Sequence, residues 1–559
     1  MKNAINFIGI VLIGIGLISC KKLETPDSTK ELTVLSRKNK VGVSALPDKP
    51  NVLFIVVDDL RYTSVKRLFE EAGLEPADPA HGNRGNTNNM VPKTPKIDAL
   101  IDGANAVTFT NAHASAVECS PSRTALLFGK YPHESGVYRN GNNWWTGVTD
   151  GNALTRQFVQ DSKYKVFGAG KVFHNGPSAE GKYFNSVNAV PPYNNFRETT
   201  SSISGSGYST IAPSTDKTGY EFQVIKLNNP SDDFSLDPTK NVTEDAKAVT
   251  FCINKMQSVV DQNVGLPASG KSSFFVACGL RRPHSPLIVP DNYFTSANTA
   301  VTPKVLPVDT AALPPRAKYL INNNPSIGPD VLRQDYPSDW GNYLRAYAGA
   351  VSYSDAQIGR LIDFIDANPV LHDNTIIVLI SDHGFHLGDK HHLKKTTLYE
   401  ETTRVPMIWR VPGQGVGDDK YCRVPVDLMS IYPTLMDYCN LTYPPGISGR
   451  NIRNLITNPG TSADPSPSGT DVALTEMDQK SSSIRTVNYR FTQYNDGGPN
   501  GLAEELYNHR GTAYSFDPWE ARDLRNKSPE PTLLKPLRNK KNILIPNWAP
   551  MVSGGIANE

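Results

Sequence analysis

Two apolar runs frame the chain. Val52-Leu53-Phe54-Ile55-Val56-Val57 lies unbroken between Pro50 and Asp58, and Thr375-Ile376-Ile377-Val378-Leu379-Ile380 ends at Ser381-Asp382-His383. A run without polar alternation reads as a strand buried on both faces, the kind found in parallel sheets. Phe274–Ala277 and Met407–Trp409 read as further strands. From Tyr343 to Ala367 the period becomes helical, with Val351, Ile358, Leu361, Ile362 and Ile365 on one face and polar residues opposite. Another helix is predicted from Asp427 to Tyr438. Strands alternating with helices predict an α/β architecture.

Elsewhere the periodicity fades. Residues 184–245 and 285–340, rich in Pro, Asn, Ser and Gly, read as long surface excursions of the sort that shape access to a site. A Pro/Ser/Gly-rich passage at 458–470 reads as a linker between a catalytic domain, 49–457, and a small C-terminal domain, 471–559. In the latter, Val472 to Thr475 and Ile484 to Tyr494 are strand-like and suit an antiparallel sheet. The first twenty residues stand apart. Lys2 precedes an apolar stretch, Ile5 to Ile18, too short to span a bilayer comfortably, so 1–20 reads as a targeting segment. It closes on Leu17-Ile18-Ser19-Cys20, which resembles the lipobox of bacterial lipoproteins and implies cleavage before Cys20 and lipidation there. Polar, charged residues 21–48 then read as a flexible tether. The expected location is the bacterial cell envelope, anchored by lipid to the membrane, at the outer membrane, in the periplasm or on the cell surface.

Composition narrows the picture. The 559 residues suffice for two domains, and 38% hydrophobic content with 43 Pro and 42 Gly describes an enzyme with many loops. A net charge of +2 argues against a nucleic-acid partner but leaves room for a local cationic pocket. Of six cysteines, Cys20 is assigned to lipid and Cys119 to chemistry. Cys422–Cys439, closing a short loop, is the more plausible disulfide in an oxidising compartment; free thiols are as plausible for Cys252 and Cys278, and connectivity is left open by sequence.

Both buried strands end in acid, Asp58-Asp59 and Asp382-His383. Ligand sites in parallel sheets lie at such carboxyl ends. Three gathered carboxylates repel one another unless a cation neutralises them, and hard oxygen ligands favour calcium or magnesium over zinc. Taken singly, each acid pair is more readily read as turn chemistry; taken together, less so. A sharper signal is Cys119-Ser120-Pro121-Ser122-Arg123, followed by Thr124 and, after an apolar stretch, Gly129. Ser120 can cap a helix, Pro121 suits its first position and Gly129 can end it. Cys119 is thereby predicted at a helix N-terminus, where backbone N–H groups attract an anion.

The C-x-P-S-R pentapeptide, with Thr124 and Gly129 downstream, is similar to the signature of type I sulfatases. The resemblance extends through Asn51–Arg61, Gly170-Lys171-Val172-Phe173-His174, Arg282-Pro283-His284 and Asp382-His383-Gly384. The helix Val351–Leu361, Leu387-Gly388 with Lys395 downstream, and His383 where most sulfatases have Asn look like the iduronate-2-sulfatase branch. What this implies is an alkaline-phosphatase-like α/β fold: a large, mixed, mostly parallel sheet flanked by helices, with a smaller C-terminal α+β domain carrying an antiparallel sheet. It implies oxidation of Cys119 to formylglycine by a formylglycine-generating or anaerobic sulfatase-maturing enzyme. It also implies one Ca2+ held by Asp58, Asp59, Asp382, His383 and the oxidised Cys119.

In such a site one hydroxyl of the hydrated aldehyde attacks sulfur and the other later expels sulfate. Arg123 would hold that hydrate, Lys171 and Lys395 would bind sulfate oxygens, and His174 would be the base that triggers release. His284 would contact sulfate and, with Lys395, protonate the leaving oxygen. Lys394 is adjacent and could take the place of Lys395. Phe385 and His386 depart from the branch and are expected to face substrate. Glu505-Leu506-Tyr507-Asn508 and Asp523-Leu524 resemble, weakly, the terminal strands of the sulfatase small domain. The expected substrate is a sulfated carbohydrate, an oligosaccharide derived from polysaccharide. Two other readings compete: a phosphatase, phosphonate or phosphodiester hydrolase of the same superfamily, for which the His-rich second metal cluster is missing from the sequence, and a non-catalytic glycan-binding lipoprotein.

Overall fold

The computed structural model describes residues 46–72, 92–174, 184, 208–212, 224–227, 234–235, 243–297, 313–322, 337–414, 420–461, 471–479, 481–494, 503–509 and 530–545. Cys20 and its targeting segment, the tether up to residue 45, linker residues 462–470 and Asp523-Leu524 lie outside them.

The main sheet has seven strands: β1 (Asn51–Val57), β2 (Ala106–Phe109), β3 (Tyr164–Gly170), β4 (Ser273–Leu280), β5 (Thr375–Ser381), β6 (Met407–Arg410) and β7 (Tyr421–Cys422), ordered β7-β2-β6-β5-β1-β4-β3. The run β5-β1-β4-β3 is parallel, β6 is antiparallel to both β5 and β2, and β7 is parallel to β2. This is the mixed, mostly parallel sheet that the resemblance implies, and the two unbroken apolar runs are adjacent strands within it. Leu53, Ile55 and Val57 of β1 enter one core, and Val52, Phe54 and Val56 enter another. Since successive side chains point to opposite faces, a strand covered on both sides carries no polar position.

Helices α1 (Cys119–Phe128) and α4 (Ile431–Tyr438) supply residues to the core shared with Val52 and Phe54. Helices α2 (Glu244–Gln262) and α3 (Pro337–Asp366) cover the opposite face. Helix α3 begins at Pro337 rather than at Tyr343, and Trp340 is fully buried within the added turn. Nor does a helix begin at Asp427. Val426–Asp427 pairs with Ala112–His113 as a short parallel bridge, and a 3-10 turn at Leu428–Ser430 precedes α4.

A second sheet, β8 (Ala473–Asp478), β9 (Ser481–Arg485), β10 (Tyr489–Tyr494) and β11 (Ala503–Asn508), is antiparallel throughout and packs with α5 (Glu530–Leu544). The piece read as one strand from Ile484 to Tyr494 is the arm of a hairpin, reversed at Thr486–Asn488, where Thr486 N–H donates to the Tyr489 carbonyl at 2.9 Å. The turn contains no Gly or Pro to announce it. Arg485 and Arg490 reach from this sheet to Glu400 beside the main sheet. The expected Cys422–Cys439 disulfide is absent: both are buried free thiols, as are Cys252 and Cys278. Cys439 lies against Tyr164, and burial pushes its thiol up to about 12.

Two glycines let β3 and β4 close on each other at the carboxyl end of the sheet. Gly170 has φ +66, and a Cβ there would fall 1.9 Å from the Gly279 carbonyl oxygen; one on Gly279 would fall 2.1 Å from the Lys171 backbone. Lys171 N–H donates to the Gly279 carbonyl at 2.8 Å, fixing where the Lys171 side chain starts. Replacing Gly170 with alanine is expected to destabilise the protein by about 2–4 kcal/mol through overpacking plus left-handed strain. Chemical denaturation measures this, and an unchanged midpoint would show that the junction yields.

Candidate functional site

Strand ladders carry the acids to one point. Beyond β1, Asp58 N–H still donates to Leu280 of β4 at 3.0 Å, and beyond β5, Asp382 N–H donates to Val57 at 3.2 Å. Asp59 turns sharply, with φ 62; its carbonyl accepts the Tyr347 hydroxyl at 2.7 Å and its N–H reaches the Asp382 carboxylate at 3.3 Å. All three acids are buried.

Helix α1 begins at Cys119 itself, with Glu118 as its extended flanking residue, and Gly129 ends it at φ 62. Ser120 is therefore inside the first turn and does not cap it. Its N–H donates instead to the Asn140 side chain at 2.8 Å, while Asn140 N–H donates to Glu118 at 2.8 Å. The rest of the motif faces the acids. Ser122 Oγ donates to the Asp382 carbonyl at 2.5 Å, Arg123 Nε to the Asp382 carboxylate at 2.8 Å, and Arg123 Nη2 to Asp58 at 3.3 Å. Arg123 also donates to the Lys171 and Val172 carbonyls, so a single buried guanidinium ties three chain segments together.

The remaining residues close around Cys119. His383 Nε2 lies 3.3 Å from Cys119 Sγ, and its Nδ1 lies 3.4 Å from Asp59 and 3.0 Å from the Gly384 carbonyl. Lys395 Nζ lies 2.8 Å from Asp59 and 2.9 Å from Cys119 Sγ. Lys171 bonds Asp58, and His284 Nε2 stands 3.8 Å from Asp59. His174 lies near enough to feel Lys171, Arg123 and Asp58, and its carbonyl accepts the Trp144 indole N–H at 3.0 Å. Between the neighbouring lysines, it is Lys395 that the fold directs to Cys119. Thus the predicted catalytic and metal-ligating residues within the described part of the chain converge. Phe385 and His386, expected to face substrate, are instead packed among other side chains: Phe385 is buried and stacked on Tyr347, and His386 is buried 2.7 Å from Thr397 Oγ1. Tyr347, Asn140 and Ser381 were missed. Ser381 Oγ accepts Leu60 N–H at 2.9 Å, and none of the three stands in a local pattern that announces the contact.

The electrostatics are those of crowded charge. Burial would raise Asp58, but Lys171, His284 and Arg123 hold it well below the ordinary carboxylate range. At Asp59 burial prevails over Lys395 and, with Asp58 adding to it, the carboxyl is raised. Burial depresses His383, yet Asp382 and Cys119 together outweigh burial and Lys395 and lift it to about 9. His284 is driven low by burial and Lys395. Atoms of Asp58, Cys119, Asp382 and His383 lie within 4.8 Å of one another, and Asp59, Cys119 and His284 form an overlapping group. Hard carboxylate oxygens from two strands, plus an acid left short of positive charge, fit a divalent cation such as calcium or magnesium.

Comparison with known proteins identifies the family. The family model described as Sulfatase matches residues 50–441. A sulfatase of Formosa agariphila is 28% identical over 524 residues, covering 89% of this chain and 85% of that protein. The iduronate 2-sulfatase of Homo sapiens is 25% identical over 570 residues, covering 88% of this chain and 94% of its own. Among solved structures, the phosphonate monoester hydrolase of Agrobacterium radiobacter superposes with a TM-score of 0.60 at 19% identity, over 90% of this chain and 96% of that one, and so shares the fold.

Burial, Lys171 and Arg123 hold the His174 imidazole down to about 3. An unfolded histidine takes its proton near about 6.5, so below that pH the unfolded chain binds more protons than the folded one. The contribution of neutral His174 to stability is therefore present above about 6.5 and is lost as the pH falls toward about 3. Replacing His174 with Asn is expected to flatten the acid-side decline of the melting temperature. Equal slopes in the two proteins would show that folded His174 protonates freely.

Proposed function

The chain belongs to the sulfatase family of sulfuric ester hydrolases, and from that premise we propose that it removes sulfate from sulfated carbohydrate through a formylglycine made from Cys119 and a calcium ion. The observation that carries this reading is the meeting of Cys119, at the head of α1, with three buried acids from two strands. Asp58, Asp59, Asp382 and His383, with the oxidised Cys119, would hold the ion. Once bound, it would neutralise the carboxylates and acidify a hydroxyl of the hydrated aldehyde at position 119.

The other residues then have distinct tasks. Arg123 spans Asp58 and Asp382, keeping the two carboxylates in register. The Lys171 ammonium pairs with Asp58 and the Lys395 ammonium with Asp59, so both stand at the acid cluster, suited to the oxygens of a sulfate. His174, held neutral across the working range, is a ready acceptor for the proton whose loss lets sulfate depart. His284 and Lys395 both flank Asp59. Lys395, which against burial the surrounding acids hold above its ordinary range, would deliver a proton to the sugar oxygen as its bond to sulfur breaks, with His284 contacting sulfate beside it. Sugar leaves as the alcohol, and water restores the hydrate.

The identity of the human relative as an iduronate 2-sulfatase supports a saccharide substrate, and polysaccharide-derived oligosaccharides are the class proposed. Leu17-Ile18-Ser19-Cys20 supports a lipid anchor on Cys20 in a bacterial cell envelope. Maturation would need a formylglycine-generating or anaerobic sulfatase-maturing enzyme.

Cys119→Ala is expected to lower sulfate release by about 10³-fold or more while leaving the fold intact. Sulfate assay and thermal melting check this together; retained turnover would overturn the nucleophile assignment. The matured enzyme should also cleave an aryl sulfate faster than the matching aryl phosphate. The reverse preference would return the site to phosphoryl chemistry.

A further inference from the structure

Lys395 is held in a loop of unusual backbone. Its two neighbours, Lys394 and Thr396, both have φ 73, and Lys390 in the same loop has φ 52. Left-handed backbone at non-glycine residues is costly and persists where the surroundings over-determine it. Three attachments do so here. Arg61, just past Asp58-Asp59, pairs with Asp389 at 2.5 Å, and that carboxylate also accepts Leu387 N–H at 3.1 Å. His392 Nε2 lies 2.8 Å from the Lys395 carbonyl oxygen.

The third attachment comes from the antiparallel sheet. Lys390 is only 1% exposed, and its ammonium stands 4.5 Å from the Tyr399 ring centroid and 5.7 Å from that of Tyr507. These two rings meet edge to face at 6.1 Å. Their hydroxyls both donate to one carboxylate, that of fully buried Glu505: Tyr399 at 3.0 Å and Tyr507 at 2.9 Å, joined by Tyr494 at 2.8 Å. A buried carboxylate is costly unless its oxygens are filled, and three phenols fill them. Glu505 thereby fixes two rings, the rings fix Lys390, and Lys390 and Tyr399 bracket the segment carrying Lys395.

We propose that Glu505 is a positioning residue for Lys395, so that the antiparallel sheet belongs to the catalytic apparatus by setting where the Lys395 ammonium meets Cys119 and the leaving oxygen. This rests on the role given to Lys395 above. A cluster that merely stabilised the fold would slow all substrates alike. A cluster that positions the leaving-group proton donor makes the enzyme more demanding of its leaving group.

The test compares wild type, Lys395→Ala, Glu505→Gln and Tyr507→Phe on a series of aryl sulfates of rising phenol pKa, with melting curves for each. Tyr507→Phe keeps the ring over Lys390 and removes one donor to Glu505, so it decides the matter if Glu505→Gln fails to fold. Folded Glu505→Gln or Tyr507→Phe is expected to lose tenfold or more in kcat on the poorest leaving groups, under threefold on the best, with KM little changed. The dependence on phenol pKa should steepen toward that of Lys395→Ala. A uniform loss across the series, or none, in a folded variant would overturn the positioning role. Absence of any wild-type turnover on the series would instead overturn the sulfatase reading of the site.

Discussion

Asp58, Asp59 and Asp382 are delivered by two adjacent strands to one buried spot, and the balance of their charge governs the rest of the site. Two carboxylates 4 Å apart repel by roughly 4 kcal/mol at an effective dielectric near 20, so three of them cannot stay ionised without company. Arg123, Lys171 and Lys395 supply it, each through direct ion pairs. The lysines cannot both neutralise these acids and hold sulfate oxygens. A divalent cation on the carboxylates would free both amines for an anionic substrate, which is why a cation belongs in the account.

The fold serves that balance by bringing distant segments to the carboxyl end of one parallel run. β1 and β5 supply the acids, the glycine-permitted approach of β3 to β4 sets the start of Lys171, and α1 presents Cys119 at its first residue. Arg123 is the strap between them, bonding two acids and two backbone carbonyls while almost wholly buried. The antiparallel sheet reaches across through Arg485 and Arg490, which pair with Glu400, and through Glu505, which accepts from Tyr399.

What could be read from the sequence follows physical lines. β1 and β5 were legible because burial on both faces leaves no polar position to blur them. The acids and the Cys119 motif were legible because their chemistry is written in contiguous residues. Contacts made only by folding were not. Tyr347 orients Asp59 from a helix nearly three hundred positions away, and Asn140 takes over the N-terminal bond that Ser120 was expected to make. Phe385 looked like a substrate contact because it follows a ligand pair, yet its ring completes a core stack. The turn at Thr486–Asn488 lacks Gly and Pro and offers only Asn488 as a marker, so a hairpin read as a single strand. Lys394 and Lys395 were equivalent by sequence, and only the alternating backbone of their loop separates them.

Calorimetric titration of calcium into chelator-treated protein, beside Asp382→Asn, tests the central claim most directly. The account predicts one tightly bound ion per chain and an affinity at least a hundredfold weaker in the variant. Absence of calcium binding by the wild type, or binding indifferent to Asp382, would contradict it.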